Sequence, residues 1–133
     1  MNVFIVEDSE IVRERISELL SEQPGVVVAG ETGTVRDALE FIPREDIDVV
    51  ILDLHLLDGS GLEVLRRIKQ KKPGLWVIVL TNYSYTGYRD QCLDHGADYF
   101  LNKSVDFDQL PEILRGLGTN EMHQPDNQPE RAG

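Results

Sequence analysis

The sequence predicts an α/β protein built on a parallel sheet with helices on both faces. Two observations carry this. Short, nearly unbroken apolar runs recur at residues 3–6, 26–29, 48–52, 76–80 and 99–101, each followed by polar or turn-forming residues. Such runs read as strands buried on both faces. Between them lie stretches with helical spacing of apolar residues, and this alternation predicts right-handed β–α–β crossovers.

The elements follow in order. After Val3-Phe4-Ile5-Val6, Ser9 is placed to cap a helix reaching about Ser21, with Ile11, Val12, Ile16, Leu19 and Leu20 on one side. Gln23-Pro24-Gly25 ends it. Residues 26–29 form the second strand and residues 30–33 a turn. Thr34 caps a helix carrying Val35, Ala38, Leu39 and Ile42, with Pro43 near its end. Residues 48–52 form the central strand. Residues 61–72 form a helix whose basic end suits its C-terminus. Pro73-Gly74 stops it before the fourth strand. A weaker helix spans roughly residues 85–94, with Gly96 as its C-terminal cap. The last helix covers residues 109–117, which requires Pro111 to fall in its first turn. From Gly118 onward the chain is polar, carries two prolines and has no periodicity, so residues 118–133 read as a disordered tail on a domain of residues 1–117.

In an open parallel sheet, function gathers beyond the carboxyl ends of the strands. Here those ends carry Glu7 and Asp8, Asp53, Thr81 and Lys103. Three carboxylates, a hydroxyl and an ammonium on one rim suit a divalent metal and a phosphoryl group. Composition narrows the classes further. The 133 residues are 41% apolar, enough for one core, and the net charge is −11. An acidic surface repels phosphate backbones and anionic membranes, so direct binding to nucleic acid or membrane is not expected. The single cysteine, Cys92, permits no internal disulfide, reads as a buried helical residue and fits a reducing, cytoplasmic setting. The start of the chain lacks the features of a signal peptide, and no segment has the length of a membrane span.

Taken together, VFIVEDS, VVILDLHLLDGSGLEVL, VIVLTN and GADYFLNKS resemble the receiver domain of two-component response regulators over about residues 1–117. The resemblance implies a flavodoxin-like sheet of strand order 2-1-3-4-5. It implies Asp53 as phosphoacceptor, with Glu7 and Asp8 as the acidic pair. It also implies Thr81 as switch hydroxyl, Lys103 as the site lysine and Phe100 as switch aromatic. The implied cofactor is Mg²⁺ or Mn²⁺, held directly by Asp8, Asp53 and the backbone carbonyl of His55, and by Glu7 through water. The side chains of His55 and Tyr83 are implied to tune the lifetime of the phosphoaspartate. The implied phosphodonor is a histidine kinase or a histidine phosphotransfer protein. Output passes to a downstream protein through the face of the fourth helix, fifth strand and fifth helix, as expected of a stand-alone receiver. On that face Tyr83, Tyr85, Tyr88 and Tyr99 add aromatic area, and Phe100 is expected to follow Thr81 inward when the site is phosphorylated.

Three positions depart from the family pattern. Leu57 stands where proline is common, which predicts a looser loop after Asp53. Asn82 follows Thr81 where small residues are commoner. Ser104 follows Lys103 where proline is usual, leaving a cis or a trans bond open.

The chemistry is consistent with these residue types. A carboxylate attacks a phosphodianion poorly because both are negative, and a hard cation with oxygen ligands removes that obstacle. Lys103 adds a compact positive charge and Thr81 a hydrogen bond, so transfer becomes positioning and charge neutralisation. Two other classes compete. A metal-dependent phosphatase of the haloacid dehalogenase type would need a second acid two residues after Asp53, where this chain has His55. A pseudo-receiver that is never phosphorylated would not need the intact acid pair and Lys103.

Overall fold

The computed structural model describes residues 1–82 and 86–118. Five strands, β1 (Asn2–Val6), β2 (Val27–Thr32), β3 (Val49–Leu52), β4 (Trp76–Thr81) and β5 (Tyr99–Asn102), form one parallel sheet in the order β2-β1-β3-β4-β5. Val3 to Val6 lie opposite Val49 to Leu52, which in turn lie opposite Trp76 to Val79. β3 is buried along its whole length. Strand side chains alternate between faces, so this register sorts the apolar residues into two cores. Val6, Val50, Leu52, Val77 and Val79 face one way, and Val3, Ile5, Ile51, Ile78 and Leu80 the other.

Five helices cover these faces: α1 (Glu10–Ser21), α2 (Val35–Phe41), α3 (Gly61–Lys71), α4 (Thr86–Asp94) and α5 (Leu110–Gly118). α2, α3 and α4 bring Ala38, Val64, Leu65, Ile68 and Cys92 to the first core. α1 and α5 bring Ile16, Leu20, Leu110, Leu114 and Leu117 to the second. The expected flavodoxin-like sandwich is therefore present. The caps follow the sequence too. Ser9 accepts the Val12 amide at 3.3 Å, Thr34 accepts that of Asp37 at 3.1 Å, and Gly96 ends α4 at φ +103°. Pro111 falls in the first turn of α5, after a short 3₁₀ turn at Phe107–Gln109.

The departures have physical reasons. β2 runs to Thr32, through residues expected to turn, because Gly30, Glu31 and Thr32 pair with Phe4, Ile5 and Val6. An edge strand tolerates Glu31 facing solvent. Ile11 is 71% exposed instead of joining the buried side of α1, which is carried by Ile16 and Leu20. α4 is described from Thr86, so Tyr83 and Tyr85 lie outside the described residues, as do residues 119–133 of the expected tail. No described peptide bond is cis, so Lys103–Ser104 is trans. Cys92 is buried, and its thiol is pushed up to about 11 by that burial.

Candidate phosphoryl and metal site

The carboxyl ends of β1, β3, β4 and β5 converge because the strands are in register. The Asp53 amide donates to the Val6 carbonyl at 2.8 Å, which sets Asp53 beside Glu7. The Glu7 amide donates to the Thr32 carbonyl at 2.9 Å. The Lys103 amide donates to the Thr81 carbonyl at 3.0 Å, which ties the last two strand ends together. Thr81 is fully buried, Asp53 is 3% exposed and Glu7 1% exposed.

Glu7, Asp8 and Asp53 each offer an oxygen, and these oxygens lie within 4.8 Å of one another. Lys103 Nζ sits 2.5 Å from Glu7 Oε1 and 3.1 Å from Asp53 Oδ2. The other Asp53 oxygen, Oδ1, is buried and accepts no hydrogen bond among the described residues. A buried carboxylate oxygen without a donor is costly. One ammonium faces three carboxylates. Burial pushes the Glu7 carboxyl up to about 7, aided by its hydrogen bond to Asp8 and opposed by Lys103. The same hydrogen bond from Glu7 holds Asp8 below the usual carboxylate range. The Lys103 ammonium is lowered by burial, but Glu7 and Asp53 outweigh this and raise it overall. The donor set is all oxygen, it carries surplus negative charge, and it contains an orphaned buried atom. It fits a hard divalent cation.

The loop after Asp53 is short and closely folded. His55–Leu56 pairs with Gly59–Ser60 as a two-residue hairpin. α3 then starts so close that a side-chain carbon on Gly61 would lie 2.0 Å from the Asp53 carbonyl oxygen. Only glycine fits there. The Leu57 amide donates to the Gly33 carbonyl at 3.1 Å, a bond that proline cannot make. Asp58 reaches across to the start of α2, accepting the Val35 amide at 2.6 Å and the Arg36 amide at 3.1 Å. These two bonds hold the Asp58 carboxyl below its ordinary range. The loop is clamped by hydrogen bonds where proline would have stiffened it.

The remaining expected residues divide. His55 is exposed at the mouth of the loop. Phe100 is 7% exposed and packed in the core beside α2, α3 and α4, so it is already inward in this structure. Tyr88 is 45% exposed on α4, and Tyr99 is half-buried against the other core. Tyr83 lies outside the described residues. Sequence reasoning passed over Asp58, Gly61 and Arg13. An aspartate three residues before Gly61 was the one signal for a cap, but its target, α2, lies more than twenty residues earlier in the chain.

Comparison with known proteins decides the family. The sequence matches the response regulator receiver domain over residues 3–115. The chain belongs to this family. It is 31% identical to the DNA-binding transcriptional activator DevR/DosR of Mycobacterium tuberculosis, over 89% of this chain and 54% of that protein. It is 34% identical to the nitrate/nitrite response regulator protein NarP of Escherichia coli, over 85% of this chain and 53% of the relative. The chain thus spans about half the length of these relatives. A receiver shared with an enzyme also occurs: the cyclic di-GMP phosphodiesterase of Thermotoga maritima is 37% identical over 92% of this chain and 33% of its own length. Among solved structures, the isolated receiver domain of RcsB from Salmonella enterica, determined with the phosphomimetic BeF₃⁻, superposes with a TM-score of 0.83 at 28% identity, covering 96% of this chain and 95% of that one. This receiver domain has no described helix long and apolar enough to cross a membrane.

Proposed function

We propose that this receiver takes a phosphoryl group onto Asp53 from a phosphohistidine of a histidine kinase or phosphotransfer protein. The observation that carries the reading is the charge imbalance of the cluster, three carboxylates against one lysine, with the buried Asp53 Oδ1 accepting no hydrogen bond among the described residues. An Asp53 oxygen attacks phosphorus, the P–N bond breaks, and its electron pair leaves on the imidazole nitrogen. Asp8 and Asp53, with the His55 carbonyl, would hold Mg²⁺ or Mn²⁺ directly, and Glu7, turned toward Lys103 and the Ser9 amide, would act through water. The cation, when bound, offsets negative charge on the carboxylates and the phosphoryl oxygens. Lys103 holds one phosphoryl oxygen and Thr81 another. His55 and Tyr83 control the water that later hydrolyses the phosphoaspartate.

Three apolar side chains support docking of a protein phosphodonor over this rim. Ile11, Leu57 and Val105 are 71%, 71% and 77% exposed, and each follows a site residue by two to four positions. Output runs through α4, β5 and α5, with Thr81 and Phe100 as the switch pair. Because Phe100 is already buried, the change there is a repacking against α4. The receiver occupies residues 1–117, and residues 118–133 act as a polar extension. The net charge of −11 disfavours direct contact of this domain with nucleic acid, and the setting proposed is cytoplasmic.

Incubation with acetyl phosphate and Mg²⁺ should add one base-labile phosphoryl group, and Asp53→Asn should abolish it. Equal labelling of Asp53→Asn would show that the acceptor is elsewhere. Multiple turnovers on phosphomonoesters would favour the phosphatase reading.

A further inference from the structure

Among the described residues, Arg13 is a cation beside the acid pair whose role the reading above leaves unused. It lies in the second turn of α1, near the positive end of the helix dipole, where a cation gains nothing from the helix. Its side chain is only 19% exposed and turns back toward the end of β1. Nη1 donates to the Glu7 carbonyl at 2.7 Å and lies 3.4 Å from that of Asp8. Nε meets Glu31 Oε1 of β2 at 3.3 Å. Space for this is provided by Gly33. A side-chain carbon there would lie 3.1 Å from Arg13 Nη1 and 3.3 Å from Asp8 Cα.

We propose that Arg13 is a positioning residue for the Glu7–Asp8 pair, gripping the backbone carbonyls of both acids so that their carboxylates are held toward Asp53. This rests on the metal-site reading above. Within a residue, carbonyl and side chain are linked through one tetrahedral carbon. Fixing two successive carbonyls therefore fixes the directions in which both side chains leave. Two acids and Asp53 repel one another before a cation arrives, and a backbone grip opposes their spreading. The planar fork of arginine serves the carbonyls and Glu31 together, whereas a lysine ammonium is a single point. Groups that orient metal ligands typically alter metal affinity 10- to 100-fold when removed.

The test is calorimetric titration of the full chain with Mg²⁺ alone, paired with urea unfolding in EDTA. Arg13→Met should bind Mg²⁺ about tenfold more weakly. Glu31→Gln, which breaks only the link to β2, should remain within about twofold of the unaltered chain, whatever its urea midpoint. That split separates positioning from general stability. Arg13→Lys should be weakened at least about threefold, and it decides the question if Arg13→Met does not unfold cooperatively. Unchanged affinity in Arg13→Met, or in Arg13→Lys if that variant must decide, overturns the proposal. Absence of Mg²⁺ binding by the unaltered chain would instead overturn the metal-site reading and the proposal with it.

Discussion

Two half-buried lysines meet buried carboxylates at opposite ends of the sheet, and their surroundings differ. At the amino ends, Lys69 of α3 lies 3.2 Å from Asp98, with the two side chains 9% and 1% exposed. The same Asp98 oxygen accepts the Val77 amide at 2.9 Å, so one ammonium and one carboxylate are matched and tied to the backbone. At the carboxyl ends, Lys103 faces Glu7 and Asp53 with Asp8 beside them, and the charges do not balance. A pair tied to the backbone in this way is a structural joint. An unmatched one keeps a standing affinity for another cation, whether proton or metal. The lesson is that burial of charge does not by itself mark a site; the surplus does.

The largest expected effect breaks the matched joint. Lys69→Met leaves Asp98 buried without its cation, and loss of one partner of a buried pair costs about 3–5 kcal/mol. Lys103→Met should cost clearly less in metal-free protein, because Glu7 takes up a proton readily and Asp8 is only half-buried. Urea unfolding in EDTA compares the two. Equal losses would mean that the carboxyl-end cluster is as closed as the amino-end pair.

A smaller effect sharpens the comparison through pH. Glu7 is raised from 4.5 to about 7 in the folded chain. The folded state therefore binds more protons than the unfolded one across this window. The stability Glu7 contributes is fully present below about pH 4.5 and is lost as pH rises through about 7. Glu7→Gln removes that dependence. The stability of the unaltered chain in EDTA, measured relative to Glu7→Gln, should fall between pH 4.5 and 7, and a flat difference would show that burial does not raise the Glu7 carboxyl. Mg²⁺ should oppose the fall, since metal and proton compete for the same oxygens.

The smallest effect concerns the clamp that holds the rim. Asp58→Ala removes the acceptor for two amides at the start of α2 and should lower the urea midpoint only slightly. It should also raise amide exchange at Leu57, whose bond to Gly33 closes the same loop. Exchange at Leu57 unchanged by this substitution would show that the loop is held by other contacts.

Much of this molecule was legible from sequence, because the information is local. Apolar runs such as Val49-Val50-Ile51-Leu52 mark buried strands through burial on both faces, and Ser9 and Thr34 mark helix starts through hydroxyls that satisfy free amides. The candidate site residues were legible for the same reason, since Glu7 and Asp8, Asp53, Thr81 and Lys103 each sit at a strand's carboxyl end. Tertiary structure alone decided what depends on distant partners. β2 extended past Gly30 because β1 offers hydrogen bonds there, and Ile11 faced outward because α1 rotates to bury Ile16 and Leu20. The clamp of Asp58 on α2, and the grip of Arg13 on Glu7 and Asp8, join segments whose meeting no periodicity encodes. Sequence determined which charges stand at the rim; only the folded register decided that Glu7 and Asp53 would share one lysine with Asp8 beside them.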